Sequence, residues 1–140
     1  MISYTEADIK FRCKDKRKIT EWIKGVINKF SNKHVLGNIV FVFCSDEYLL
    51  EINKKFLTHD YYTDVITFDY TESSVISGDI LIIIERVREN AQEYGDSFEN
   101  ELHRVIIHGV LHLLGCKDSS TKERAEMKRR EDEALTLWPE

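Results

Sequence analysis

His108 and His112 stand four residues apart in the run HGVLHLLGCKD, which spans His108 to Asp118 and is otherwise largely apolar. On a helix, residues four apart differ by about 40° around the axis and about 6 Å along it, so both imidazoles point the same way. Two neutral imidazoles placed like this can grip one metal ion from one side. The competing reading is a pair of core histidines, each satisfied by a backbone carbonyl, because a buried imidazole needs a polar partner. A third ligand has to come from beyond the helix. Gly115 can supply a left-handed turn, after which a side chain two or three residues on can face back towards the same ion. Asp118 stands there, and it is the expected third ligand after His108 and His112. Cys116 is the alternative, but the helix is expected to have ended by that point. His103 precedes His108 by five residues and points elsewhere, and it and Glu101 read as surface or helix-start residues.

A zinc ion with three protein ligands keeps a position for water and brings its pKa to about 7. The resulting hydroxide can attack a phosphodiester or a peptide carbonyl. Helical metalloproteases carry glutamate after the first histidine as general base. Here that residue is Gly109, which favours the phosphodiester. The base is then the hydroxide itself or Asp64, at the start of a predicted strand. Asp64 reads equally well as a turn residue bonding backbone amides.

Helices before, between and after the strands of a small sheet must position these groups, an α+β arrangement. ISYTEADIKF reads as a strand, and Asp15 to Phe30 as a helix with apolar residues at helical spacing. NIVFVFCS reads as a strand buried on both faces. Ser45 can cap a short helix reaching about Phe56. TDVITF and GDILIII read as strands, the second opened by Gly78. Glu85 to Tyr94 reads as a helix closed by Gly95. Ser97 caps the next helix, which carries both histidines and is apolar nearly all round, so it is expected to be central and buried. Ser120 and Glu123 have capping-box spacing and start a last helix reaching about Leu137. Its segment KERAEMKRREDEAL reads as an exposed face of mixed charge.

The 140 residues fit one domain over 1–140, and a hydrophobic fraction of 42% fits a packed core. No stretch approaches the roughly 18 apolar residues of a membrane span, and the polar start MISYTEADIK is no signal peptide. Three cysteines without a CxxC pair fit a reducing, cytoplasmic setting. With a net charge of −5, any nucleic-acid contact must be local. KFRCKDKRK, Lys10 to Lys18, is the candidate run, with six basic residues against one acid, although a solvated face is the simpler reading. Lys54, Lys55 and Lys117 add isolated charges. His59, Tyr61 and Tyr62 could stack on bases or simply pack a loop.

The run HGVLHLLGCKD resembles the metal motif of the YbeY family of bacterial rRNA-maturation endoribonucleases, His-Gly-x-Leu-His-Leu-x-Gly-Tyr-Asp-His. His108, Gly109, Leu111, His112, Leu113 and Gly115 match, and Asp118 stands in the place of the third histidine. YYTDVITF is similar to the family's Pro-Thr-Asp-Val-Leu-Ser-Phe, and GDILI to its Gly-Asp-Ile strand. The family's arginine before the Thr-Asp motif aligns with Leu57, taking Asn53 and Asp60 as anchors. The resemblance implies a zincin-like fold, with a mixed sheet of about four strands, about five helices and a central metal helix. It implies a zinc-dependent endoribonuclease cutting single-stranded RNA at the 3′ end of the 16S rRNA and serving ribosome quality control. Its partners would be rRNA precursor and small-subunit components, with neither a membrane nor a dinucleotide. A carboxylate in place of one imidazole lowers the site's formal charge by one unit, so slow cleavage with a raised pH optimum is expected. Two other functions stay open: a non-catalytic ribosome-assembly factor of the same fold, and a small metalloprotease.

Overall fold

A computed structural model describes residues 1–52 and 63–139. The positions of Asn53, Lys54, Lys55, Phe56, Leu57, His59, Asp60, Tyr61 and Tyr62, each given an expectation above, lie outside the described residues. The element order is β1 (Ile2–Glu6), α1 (Lys16–Phe30), β2 (Val35–Cys44), α2 (Asp46–Ile52), β3 (Val65–Asp69), β4 (Val75–Ile83), α3 (Ile84–Tyr94), α4 (Phe98–Leu113) and α5 (Thr121–Thr136). The four strands form one sheet in the order β1-β2-β4-β3. β1, β2 and β4 run parallel, and β3 pairs antiparallel with β4 at one edge.

The strand pleat sends alternate residues to opposite faces, and each face meets different helices. Phe41, Phe43, Ile76, Ile80 and Ile82 join the core formed with α1, α3 and α4. Cys44, Leu81 and Ile83 face the other way, with Leu49 of α2. The central strand β4 is therefore buried on both faces, as its unbroken apolar run predicts. β2 differs from expectation. Its residues Ile39, Phe41 and Phe43 are buried while Val40 and Val42 are only half-buried, because the short α2 covers that face incompletely. β1 also stops earlier than ISYTEADIKF suggests. The Asp8 carboxylate instead accepts from the backbone N–H and the hydroxyl of Ser45, and the Glu6 carboxylate accepts from Phe11 N–H. These side-chain bonds compete with strand pairing and turn the chain.

α4 lies close on the sheet because glycine stands at two points of contact. A Cβ at Gly109 would come 2.8 Å from Ile80 Cγ2, and one at Gly78 would come 2.6 Å from the carbonyl oxygen of Phe68 and 2.8 Å from Leu113 Cδ2. Gly109 thus fills the position facing the sheet, and a glutamate side chain has no room there. Among the described residues no helix is long and apolar enough to cross a membrane.

Candidate metal centre

The C-terminal end of α4 places His108 and His112 on one face, with Glu101 and Arg104 on the same stripe at spacings of three and four residues. The helix closes in a Schellman motif, in which Cys116 N–H donates to Leu111 O at 3.0 Å and Gly115 N–H to His112 O at 3.0 Å. Gly115 takes φ 98°, a left-handed conformation that favours glycine. Five residues later Ser120 starts α5 with a capping box. The Ser120 hydroxyl accepts from Glu123 N–H at 3.1 Å, and the Glu123 carboxylate accepts from Ser120 N–H at 3.0 Å. Asp118 is held between these two fixed ends and turns back onto the histidines.

His108 Nε2 and His112 Nε2 lie 3.1 Å apart. Asp118 Oδ2 is 3.2 Å from the first and 3.3 Å from the second. Among the described residues His108, His112 and Asp118 form the group whose ligand atoms converge closely enough to hold an ion. Tetrahedral zinc with bonds of about 2.0–2.1 Å puts neighbouring ligand atoms about 3.3–3.4 Å apart, so the three atoms nearly outline one face of such a site. This arrangement goes against a simple pair of core histidines, because among the described residues neither ring's Nε2 reaches a backbone carbonyl. The donor set fits a metal.

His108 is oriented from behind. Its Nδ1 lies 2.5 Å from Glu131 Oε2 on α5, and Glu131 Oε1 accepts from Arg104 at 3.0 Å. Such a carboxylate fixes the tautomer that leaves the Nε2 lone pair facing the ion. Burial works against a proton on His108, but Glu131, Asp118 and Asp64 together outweigh it and raise the pKa above the ordinary imidazole value. Glu131 is the residue that the sequence reading missed, because KERAEMKRREDEAL does not form only an exposed face. Met127, Glu131 and Ala134 share its buried side. A lone acid on the apolar stripe of a helix was the available signal.

Asp64 lines a cleft of about 450 Å³ together with His108, His112 and Asp118. Its carboxylate accepts from Asn90 of α3 at 3.2 Å, and its backbone oxygen accepts from Ile83 N–H at 3.0 Å. Burial raises its pKa, His108 pulls it down and Glu131 adds to the rise. Asp64 is therefore a strand-start residue and a wall of the cleft at once. The cleft also contains Thr67, whose buried hydroxyl has no hydrogen-bond partner among the described residues.

One expectation is corrected. Glu101 and His103 are not surface residues, being only 4% and 9% exposed. His103 packs between Trp22 and Trp138, with ring centroids at 5.6 Å and 4.0 Å, and burial lowers its pKa. Glu101 faces the stripe, where burial first and Asp64 second push its pKa up to about 7. Cys116 does not join the histidines. It lines a separate groove with Lys122, Glu126 and Arg130, and burial raises its thiol pKa. The basic run Lys10 to Lys18 is exposed for the most part but starts at the wrong end of α4 to line this cleft. Phe11 stacks edge-on against Phe98, the first residue of α4, 6.0 Å between centroids. His108 lies ten residues further on, about 15 Å along the helix.

The sequence matches the profile of the family described as Endoribonuclease YbeY over residues 2–138. A protein named Endoribonuclease YbeY from Bacteroides thetaiotaomicron is 45% identical over 136 residues, covering 97% of this chain and 98% of its own length. One of the same name from Parabacteroides distasonis is 46% identical over 139 residues, covering 99% and 96%. A solution structure from Thermotoga maritima superposes with a TM-score of 0.64 at 28% identity, covering 99% of this chain and 91% of that one.

Proposed function

The chain belongs to the YbeY endoribonuclease family, and from that premise we propose that it is a metal-dependent, single-strand-specific endoribonuclease. Its residues 1–140 act as one catalytic domain in the cytoplasm. The substrate is rRNA precursor, trimmed at the 3′ end of the 16S species. The same activity serves ribosome quality control alongside small-subunit components. The observation that carries this reading is the triangle of His108, His112 and Asp118 ligand atoms, with edges of 3.1–3.3 Å.

His108, His112 and Asp118 would hold one zinc ion. Bound there, zinc supplies an activated water and neutralises charge on the phosphoryl oxygens. Glu131 keeps His108 Nε2 turned to the ion. Asp64 has the position and the raised pKa to take a proton within the cleft and return it to the leaving oxygen. Gly109 supports the nuclease over the peptidase reading, because Ile80 occupies the space that a glutamate base would need.

The test is incubation with single-stranded RNA, duplex RNA and casein after chelator treatment, with and without added zinc. Zinc-restored cleavage of single-stranded RNA alone is expected. Cleavage that survives complete metal removal would overturn the metal-dependent reading. Cleavage of casein would favour a metalloprotease, and metal binding without any hydrolysis would favour an assembly factor.

A further inference from the structure

A second cleft, of about 560 Å³, adjoins the first and shares His108 and Asp118 as a wall. The proposed metal group therefore stands on a ridge between two depressions. Their linings differ in kind. The first holds Asp64, Asp69 and Asp118 and no lysine or arginine among the described residues. The second sets the cations Arg104, Arg124 and Lys128 against the carboxylates Asp96, Glu101, Asp118 and Glu131, and adds Tyr94 at the end of α3 and the buried Met127.

Tyr94 is 67% exposed and has no ring or hydrogen-bond partner among the described residues. An open aromatic face beside a buried methionine (Met127 is 3% exposed) suits a flat, apolar group. The cations differ in how far they are already engaged. Arg104 is taken up by Glu131 and Asp132. Arg124 is anchored by donating to Ser119 O at 2.7 Å and to Thr121 Oγ1 at 3.3 Å. That fixes its guanidinium at the mouth with donors to spare. Lys128 is exposed and lies 4.0 Å from Asp132, a loose contact. The nearby carboxylates are mostly occupied: Glu131 by His108 and Arg104, and Asp96 by Ser97 N–H and Asn100.

We propose that this second cleft is a nucleotide subsite, in which Tyr94 stacks on the base next to the scissile phosphate and Arg124 and Lys128 hold the adjoining phosphate. It rests on the endoribonuclease reading and extends it. The RNA path then runs over the start of α5 rather than across Lys10 to Lys18, and the strand crosses the ridge of His108 and Asp118. Recognition by one aromatic face and two cations is tolerant of base identity, since every base offers a π-face.

The experiment measures cleavage of a single-stranded oligoribonucleotide by the zinc-loaded full chain. Tyr94→Ala should raise KM roughly 5- to 150-fold, the range that loss of one base–aromatic stack carries, with the loss falling on KM more than on kcat. Tyr94→Phe should return KM to the parent's value. Arg124→Gln with Lys128→Gln should reduce the slope of log affinity against log salt by about 0.7, the value for one neutralised phosphate of a single strand. Thermal melting confirms folding, and Tyr94→Ala is expected to melt like the parent because its side chain is mostly solvent-exposed. Unchanged KM in Tyr94→Ala together with an unchanged salt slope in the double variant would overturn the subsite while leaving the nuclease reading in place. A parent that neither binds nor cuts RNA would overturn both.

Discussion

Removing the Glu131 carboxylate should loosen the metal while leaving the chain folded. One oxygen lies 2.5 Å from His108 Nδ1 and the other accepts from Arg104 at 3.0 Å, in a residue only 7% exposed. The Nε2 on the far side of that ring is the atom 3.2 Å from Asp118. Carboxylates in this position contribute about ten- to a hundredfold to metal affinity, or about 1.4–2.8 kcal/mol. Glu131→Ala should lose that amount. Glu131→Gln conserves volume but has one oxygen for two donors. If its oxygen accepts from His108, its amide must face the guanidinium, so it should fall between the parent and the alanine variant. Without metal, Glu131→Ala should be less stable by about 1–3 kcal/mol, the cost of leaving partly buried donors unpaired. Arg104 keeps its 2.8 Å bond to Asp132, which limits the loss. Competition for zinc against a chromophoric chelator measures the first quantity and denaturant unfolding the second. Parent-like zinc affinity in Glu131→Ala, with stability alone reduced, would refute the orienting role.

Asp118→Ala should weaken zinc binding by at least about tenfold while Cys116→Ala leaves it unchanged, read in the same competition; the opposite result would make the thiol the ligand. Glu101 gives a pH dependence of definite sign. Its pKa rises from 4.5 to about 7 on folding, so the unfolded chain releases this proton first. The group contributes nothing below pH 4.5, destabilises progressively as pH rises towards 7, and above that costs on the order of 3 kcal/mol. Glu101→Gln should therefore flatten the fall in melting temperature between pH 5 and 8, and an equal fall in both proteins would contradict this. Gly109→Ala should destabilise by about 1–3 kcal/mol, because its Cβ would lie 2.8–2.9 Å from a fully buried Ile80; a melting temperature equal to the parent's would show that α4 can shift away from the sheet.

Local signals in the sequence carried far. Ser97 does cap α4, Ser120 and Glu123 do form a capping box, and Gly95 and Gly115 do end helices in left-handed turns. These features depend on residues within one turn of each other. The convergence of Asp118 on the histidines was legible for the same reason, since Gly115 and Ser120 fix its short loop. The residues misread were those whose roles depend on distant partners. Glu131 gains its role from His108, 23 residues away and on another helix. Glu101 was read by its place near the helix start, although its spacing from Arg104, His108 and His112 puts it on their stripe. His103 is buried by Trp22 and Trp138, which no local pattern announces. β4 begins at Val75, three residues before Gly78, because Val75 and Ile76 pair with Val35 and Leu36 across the sheet.

X-ray absorption at the metal edge of the purified protein tests the central claim most directly. The account predicts one zinc ion per chain, bound by two imidazole nitrogens and one carboxylate oxygen at about 2.0–2.2 Å, with no sulfur neighbour. A sulfur shell at about 2.3 Å, or a chain that binds no metal with His108, His112 and Asp118 all present, would contradict it.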